Sequence, residues 1–217
     1  MSSEVDIFWK IKLVRIKENL EENNFRCFVA QTKEQAKDTI LNEIIPEINP
    51  GSISWGGSAT FKDTGLYDAL KNKQGINIID TYDKSGGPEA AIEMRRQALL
   101  TDLFLTGTNA VTEQGFLVNL DMIGNRVGAL VFGPKNVIVL CGRNKIVGDL
   151  DDAMDRIKDY SAPTNAMRLN KKTPCAKTAY CHDCESPDRI CNVWTITEKS
   201  FPKGRIIVGL INQDLGL

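Results

Sequence analysis

The chain has almost no net charge: 27 Lys and Arg stand against 28 Asp and Glu, a formal −1 at pH 7 with a pI near 5.9. That balance leaves no electrostatic footprint for nucleic acid or for an anionic membrane surface, both of which need clustered cations. No apolar run approaches the roughly 20 residues that cross a bilayer, so no membrane span is expected. A positively charged leader with an apolar stretch and a small-residue cleavage site is lacking too, which makes the cytoplasm the default location. Internal repeats, low-complexity segments and the glycine fingerprint of a nicotinamide or flavin fold are missing. Histidine occurs once, at His182. What remains is 217 residues, 42% of them hydrophobic, enough to bury a full core as one domain over 1–217.

The elements alternate along the chain. Residues 6–23 place Phe8, Ile11, Leu13, Val14 and Leu20 near one stripe of an amphipathic helix. RCFVA reads as a strand, and Thr32 with Gln35 as the capping box of a helix that Pro46 stops. SISWG, INIID and DLFLTGT read as further strands, separated by helices over 58–71 and 88–100. GFLVNL, VGALVF and NVIVLCG read as three more strands in succession, 148–161 as a helix, APTNAMRLN as its continuation, and CNVWTIT and RIIVGLI as closing strands. This order predicts an α/β fold, Rossmann-like, with a largely parallel sheet and an antiparallel extension.

Against that plain background four cysteines crowd into one polar segment, 174–192, with the spacing C-x5-C-x2-C-x6-C: Cys175, Cys181, Cys184 and Cys191. Cys27 and Cys141 lie in apolar runs and read as ordinary buried thiols. Four thiolates satisfy tetrahedral zinc or a [4Fe–4S] cluster, with the Cys181–Cys184 pair as local chelator, and His182 could replace one ligand. Disulfides would need an oxidising compartment. Redox-active or merely structural thiols are the third alternative, although Cys181–His182–Asp183–Cys184 lacks the helix-start context that lowers a thiol pKa.

In α/β sheets chemistry gathers at the carboxyl ends of the strands. The loop after SISW contains Gly56, Gly57, Ser58 and Thr60: glycines that admit a close ligand, hydroxyl donors, and a helix start with free N–H groups for an anion. A structural tight turn explains the same residues. After DLFL come Thr106, Thr108 and Asn109, able to orient a substrate, with Glu113 as a candidate base or nucleophile or else a solvated loop carboxylate. Asn125 and Arg126 precede the expected strand VGALVF; the guanidinium could grip a carboxylate or phosphate, or pair with a structural carboxylate. Lys145 adds a second cation.

WGGSAT, TGTNAVTEQGFLVNLD, IGNRVGALVFGPKNVIVLCGRNKIVGDLDDA and PCAKTAYCHDCESPDRICN together resemble the LUD-domain family of lactate-utilisation proteins, in its short single-domain branch, over nearly the whole chain. The resemblance implies a fold similar to the ribose-phosphate isomerase and coenzyme A-transferase group (NagB/RpiA/CoA-transferase-like). There the glycine-serine-threonine loop binds an anionic substrate, and a glutamate, here Glu113, can serve in catalysis. It also implies work alongside iron–sulfur or oxidoreductase partner subunits in oxidising lactate. Two classes of function stay open: an accessory redox or metal-binding component of 2-hydroxy-acid oxidation with an organic-anion pocket, and an isomerase- or transferase-type enzyme or binder whose metal site is purely structural. Exposed sheet edges make a homodimer reasonable.

Overall fold

The computed structural model describes residues 3–217. Six parallel strands form the main sheet: β1 (Arg26–Ala30), β2 (Ser52–Trp55), β3 (Asn77–Ile79), β4 (Leu103–Gly107), β7 (Asn136–Gly142) and β10 (Ile206–Ile211), in the order β1-β10-β7-β4-β2-β3. β4, β7 and β10 are buried at nearly every position, as expected of strands covered on both faces. One face packs Phe104, Val137, Val139 and Val208 under the helix α1 (Glu4–Glu22); the other packs Trp55, Leu105, Ile138 and Leu140 with Phe61 and Leu66.

The antiparallel part is a second sheet rather than an extension of the first. It comprises β5 (Ala110–Thr112), β6 (Leu117–Asp121), β8 (Ile146–Val147) and β9 (Val193–Thr197), in the order β8-β5-β6-β9. β6 pairs antiparallel with β5 and β9, while β5 pairs parallel with β8. α8 (Leu150–Arg156) covers its apolar face through Ala153, with Ile157 just beyond.

Several sequence expectations need correction. VGALVF is not a strand: residues Asn125–Val131 form the helix α7, started by Gly124 in the left-handed region. A short buried apolar run carries no usable period, and small Gly128 and Ala129 let the helix pack closely. Pro46 does not stop its helix. α2 (Lys33–Thr39) runs through a π-turn at Ile40–Ile44 into α3 (Ile45–Ile48) and ends at Asn49 in the left-handed region. The wider turn accommodates the proline's missing N–H, and a second π-turn, Ile157–Ser161, does the same ahead of Pro163 in α9 (Ala162–Arg168). The helix expected over 58–71 divides at Gly65 into α4 (Ala59–Asp63) and α5 (Leu66–Leu70). α6 (Gly87–Ala98) follows β3 as expected. In α1 the buried stripe is Leu13, Ile16 and Leu20, whereas Phe8, Ile11 and Val14 lie on the exposed side.

The topology fixes where a ligand can enter. From β2 the chain moves outward to β3 at one edge; from β4 it moves the opposite way, to β7 and then β10. The connections diverge between β2 and β4, and at such a switch point the loops leave a crevice at the carboxyl ends of the strands.

Candidate functional site

The loop after β2, Gly56–Ser58, and the loop after β4, Gly107–Asn109, meet across that crevice. A Cβ built on Gly107 would stand 2.6 Å from Ser58 Oγ and 3.3 Å from the Leu140 carbonyl, so only glycine permits the approach. A Cβ on Gly57 would meet nothing within 4 Å, which leaves open space over the outer side of the loop. Ser58 caps α4, accepting from the Phe61 amide at 3.1 Å. At five residues α4 is too short for its dipole to make an anion site by itself.

Tyr82 holds the glycine loop in place. Its hydroxyl donates to the Gly56 carbonyl at 2.8 Å and accepts from the Ser58 amide at 3.3 Å. Asp80 positions that ring by accepting from the Tyr82 amide, from Trp55 Nε1 and from the Tyr67 hydroxyl. Burial pushes the Tyr82 hydroxyl up to about 12, so it stays a donor at neutral pH. The Lys62 ammonium lies 4.3 Å from the centre of its ring, and the charge of Arg168 also reaches the hydroxyl. Tyr82→Phe should cost about 1 kcal/mol of stability, the usual worth of a hydrogen bond to a buried backbone group, and weaken ligand binding through the loosened loop. Denaturant unfolding and ligand titration on the same variant measure the two effects.

Lys145 is the most unusual group in the crevice. It lies in a short 3-10 turn between β7 and β8 and is 5% exposed. Its ammonium donates to Thr60 Oγ1 at 2.8 Å and to the Thr108 carbonyl at 3.4 Å, both neutral oxygens, and the third N–H has no partner among the described residues. Burial pulls its pKa down to about 8; the Arg156 and Arg126 charges act in the same direction, opposed by the Cys141 thiol and Asp63. A buried charge without a counter-charge is costly, and proteins retain one where a ligand or chemistry uses it.

The other expected site residues separate into two groups. Gly56, Gly57, Ser58, Thr60, Thr106, Thr108 and Lys145 gather at the carboxyl ends of β2, β4 and β7; Gly56 backs onto Thr106 and Phe104. Arg126 does not offer its guanidinium to a ligand. Nη1 donates to the Gly107 carbonyl and to Asn119 Oδ1, Nη2 to Asn109 Oδ1 and the Leu120 carbonyl, and Nε faces Asp121 at 3.4 Å. All five N–H groups are engaged inside the protein, tying the loop after β4 to β6. Asn109 belongs to the same brace, as does the Thr108 hydroxyl through Asn119. Asn125 lies at the first turn of α7, away from these bonds. Glu113 sits in the β5–β6 turn, where its carboxylate pairs with Lys12 of α1 at 2.7 Å and its carbonyl accepts from Asn19. No hydrogen bond or ion pair joins Glu113 to the Ser58–Lys145 cluster among the described residues.

Sequence reasoning missed Tyr82, Asp80 and Arg156. The last bridges the Asn109 and Asn144 carbonyls and the Ser161 hydroxyl. Asp80 and Tyr82 immediately follow β3, so their place at a strand's carboxyl end was a readable signal.

The four clustered cysteines lie beyond α9. Cys175 opens α10 (Cys175–Thr178), and its Sγ lies 3.3 Å from Thr173 Oγ1. Cys181, Cys184 and Cys191 stand within electrostatic reach of one another, facing Lys158 and Arg189; burial raises the Cys191 thiol while both cations oppose it. Arg189 folds this loop, donating to the Cys184 carbonyl at 2.6 Å, the Cys191 carbonyl at 3.0 Å and Asp183 at 2.9 Å. His182 instead contacts Thr178 Oγ1 at 3.0 Å and packs edge-on against Tyr180. Thiol chemistry suits zinc or an iron–sulfur cluster. Among the described residues no three His, Cys, Asp or Glu side chains stand where they could hold a metal ion. Cys27 and Cys141 are buried, with thiols raised by desolvation, the second to about 11. Excess thiol reagent should therefore label Cys175, Cys181, Cys184 and Cys191 in the native protein and spare Cys27 and Cys141 until denaturant is added, as peptide mass mapping would show.

No helix among the described residues is long and apolar enough to cross a membrane. The family model of the LUD domain matches residues 13–211. Among solved structures, a DUF162 family protein from Deinococcus radiodurans superposes with a TM-score of 0.51 at 10% identity, covering 93% of this chain and 96% of that one. Ribose 5-phosphate isomerase A from Neisseria gonorrhoeae gives a TM-score of 0.32 at 14% identity, over 56% of this chain and 57% of that one. No curated protein matches the chain.

Proposed function

The chain belongs to the LUD domain family, associated with lactate utilisation, and from that premise we propose that it binds a small organic anion at the carboxyl ends of β2, β4 and β7, with Lys145 as the cation that holds it. The observation that carries this reading is the buried Lys145 ammonium at the switch point, partnered only by neutral oxygens and with one N–H uncommitted. An incoming anion supplies the missing counter-charge, and in a site of low dielectric that attraction is far stronger than in water. Thr60 holds the ammonium in place, Tyr82 holds the glycine loop, and the Arg126 brace holds the loop after β4. From the family's association with lactate utilisation we take the ligand to be a 2-hydroxy or 2-oxo acid, held by this chain as an accessory component while a partner's redox centre exchanges the electrons. Glu113, bound to Lys12, does not support an acid–base role in the crevice.

Thermal unfolding in the presence of L-lactate, pyruvate and the neutral analogue lactamide tests the proposal. Binding to the native state alone raises the midpoint by mass action. A rise with the two acids and none with lactamide is the expected result; no rise with either acid at tens of millimolar would remove the basis of the reading.

A further inference from the structure

The crevice is closed at Lys145 by the chain itself. Beyond β10 the backbone returns across the site: the Leu215 carbonyl accepts from the Thr60 hydroxyl at 3.3 Å, and Gly216 lies directly over the ammonium. A Cβ on Gly216 would stand 2.5 Å from Thr60 Oγ1, 2.9 Å from the Thr60 amide nitrogen and 3.0 Å from Lys145 Nζ, and its φ is +66°. The Leu215–Gly216 segment therefore passes beside the Lys145 ammonium. The Leu215 carbonyl takes one of the hydrogen bonds that a ligand would take.

We propose that the Leu215–Gly216 peptide is a built-in occupant of the ligand position, and that the natural ligand is an organic carboxylate that displaces it. This inference rests on the anion-binding reading of Lys145. The site offers two donors to a newcomer, the Thr60 hydroxyl released by Leu215 and the free ammonium N–H, which match the two oxygens of one carboxylate. A phosphate would bring more acceptor oxygens than these two donors satisfy, and unsatisfied polar atoms in an enclosed site are costly.

The attachments of the segment permit such a movement. Its root is firm: Gln213 accepts from the backbone amides of Lys33 and Arg143, and Asp214 pairs with Arg143 Nε at 3.1 Å. The Leu215 side chain is packed in the core with Trp55 and Phe61, and its amide donates to Asn144 Oδ1 at 3.0 Å. Beyond that point two bonds hold it among the described residues, the Thr60 hydroxyl to the Leu215 carbonyl and the Gly216 amide to the exposed Asp63 carboxylate at 2.9 Å. Gly216 supplies the rotational freedom. A cleft of about 380 Å³ lined by Lys33, Arg143, Gln213, Asp214 and Leu215 lies beside the segment and gives it room.

The experiment follows amide exchange of Gly216 by NMR in the full chain while pyruvate, L-lactate or inorganic phosphate is added, and compares affinities with Gly216→Ala. If the peptide is an occupant, pyruvate or lactate speeds exchange of the Gly216 amide. The alanine, which cannot fit between Thr60 and Lys145, then tightens carboxylate binding about three- to tenfold by removing the internal competitor. Carboxylate binding that leaves the Gly216 amide protected, or that Gly216→Ala weakens, makes the peptide a fixed wall and overturns the inference while leaving the anion site intact. Phosphate displacing the peptide as readily as pyruvate overturns the carboxylate assignment. Failure of all three probes to bind either protein ends both this inference and the anion-binding reading. The exchange measurement needs only the wild-type chain, so it decides even if Gly216→Ala does not fold.

Discussion

Lys145→Met is expected to abolish organic-anion binding and, at the same time, to make the protein more stable. The affinity loss should be at least about 100-fold, because removing one partner of a buried charge pair costs several kcal/mol. The stability gain follows from linkage. The folded-state pKa of Lys145 is about 8 against an ordinary 10.5, so between those values the unfolded chain binds more protons than the folded one, and stability rises with pH. Below pH 8 the ammonium is charged in both states and the full cost of burying it stands, of order 3 kcal/mol at 1.36 kcal/mol per unit. Methionine carries no charge, fills a similar volume and avoids that cost. The variant should therefore exceed the wild type most at neutral pH, and the gap should close as pH climbs from 8 toward 10.5. The Cys141 thiol, raised to about 11, stays neutral through most of this window, and Arg126 and Arg156 do not titrate in it. Urea unfolding at pH 7 and pH 10 measures the gap. A variant less stable than the wild type at pH 7 would mean that Lys145 is compensated in a way these contacts do not show.

Arg126→Ala should have the largest effect on stability of any substitution around the crevice, a loss of about 3–5 kcal/mol, as for breaking a buried hydrogen-bonded charge. It would remove at once the guanidinium's bonds to the Gly107 and Leu120 carbonyls and to the Asn109 and Asn119 side chains, and leave the Asp121 carboxylate without its cation. At roughly 2–4 °C per kcal/mol for a chain of this size, the melting temperature should fall by about 10 °C. Binding at low temperature, where the variant remains folded, should weaken much less than in Lys145→Met, because the brace shapes the loop without touching the ligand. A variant of normal stability that binds no anion would reverse the assignment and make Arg126 a ligand residue. Circular dichroism melts and a titration on the same sample separate the two outcomes.

The contrast between these two cations shows what sequence can and cannot convey. Both precede or follow apolar segments, both are candidate anion binders by residue type, and nothing local distinguishes them. Only the number of acceptors that the fold brings to each head group does so: five for Arg126, two for Lys145. Those for Arg126 come from Gly107, Asn109, Asn119, Leu120 and Asp121, and those for Lys145 from Thr60 and Thr108, on loops and strands that only the fold brings together. The parallel core was legible because β4, β7 and β10 are dense apolar runs bounded by polar or glycine-containing turns. The loops at their ends were legible as well, since a switch point needs small and hydroxyl residues. By contrast α7 reads as a strand, because Val127, Leu130 and Val131 are apolar or β-branched over too short a span for a helical period to show. Pro46 and Pro163 suggested helix ends or starts, and the π-turns that absorb them leave no mark in composition. Glu113 was drawn to the site by its nearness in sequence to Thr108, but the β5–β6 hairpin carries it to α1 instead. The tail over Lys145 left no signal, because its role depends on a return across the sheet after the last strand.

The cysteine segment was conspicuous in sequence and is quieter in structure. Arg189 gathers the backbone at Cys184 and Cys191, with Asp183 bridging it to Lys158. That arrangement orders the loop through carbonyls and carboxylates. Its thiols remain the most accessible in the chain, which is the property the labelling experiment reads.

Titration of the Lys145 side chain itself, followed by NMR of lysines labelled at Cε with the resonance assigned by its loss in Lys145→Met, tests the anion site most directly. A midpoint near pH 8 is expected in the free protein, moving upward by a unit or more when pyruvate is added, because an anion in the crevice favours the charged ammonium. A Lys145 that titrates near 10.5 and does not respond to pyruvate, lactate or any other small carboxylate would contradict the anion-binding reading.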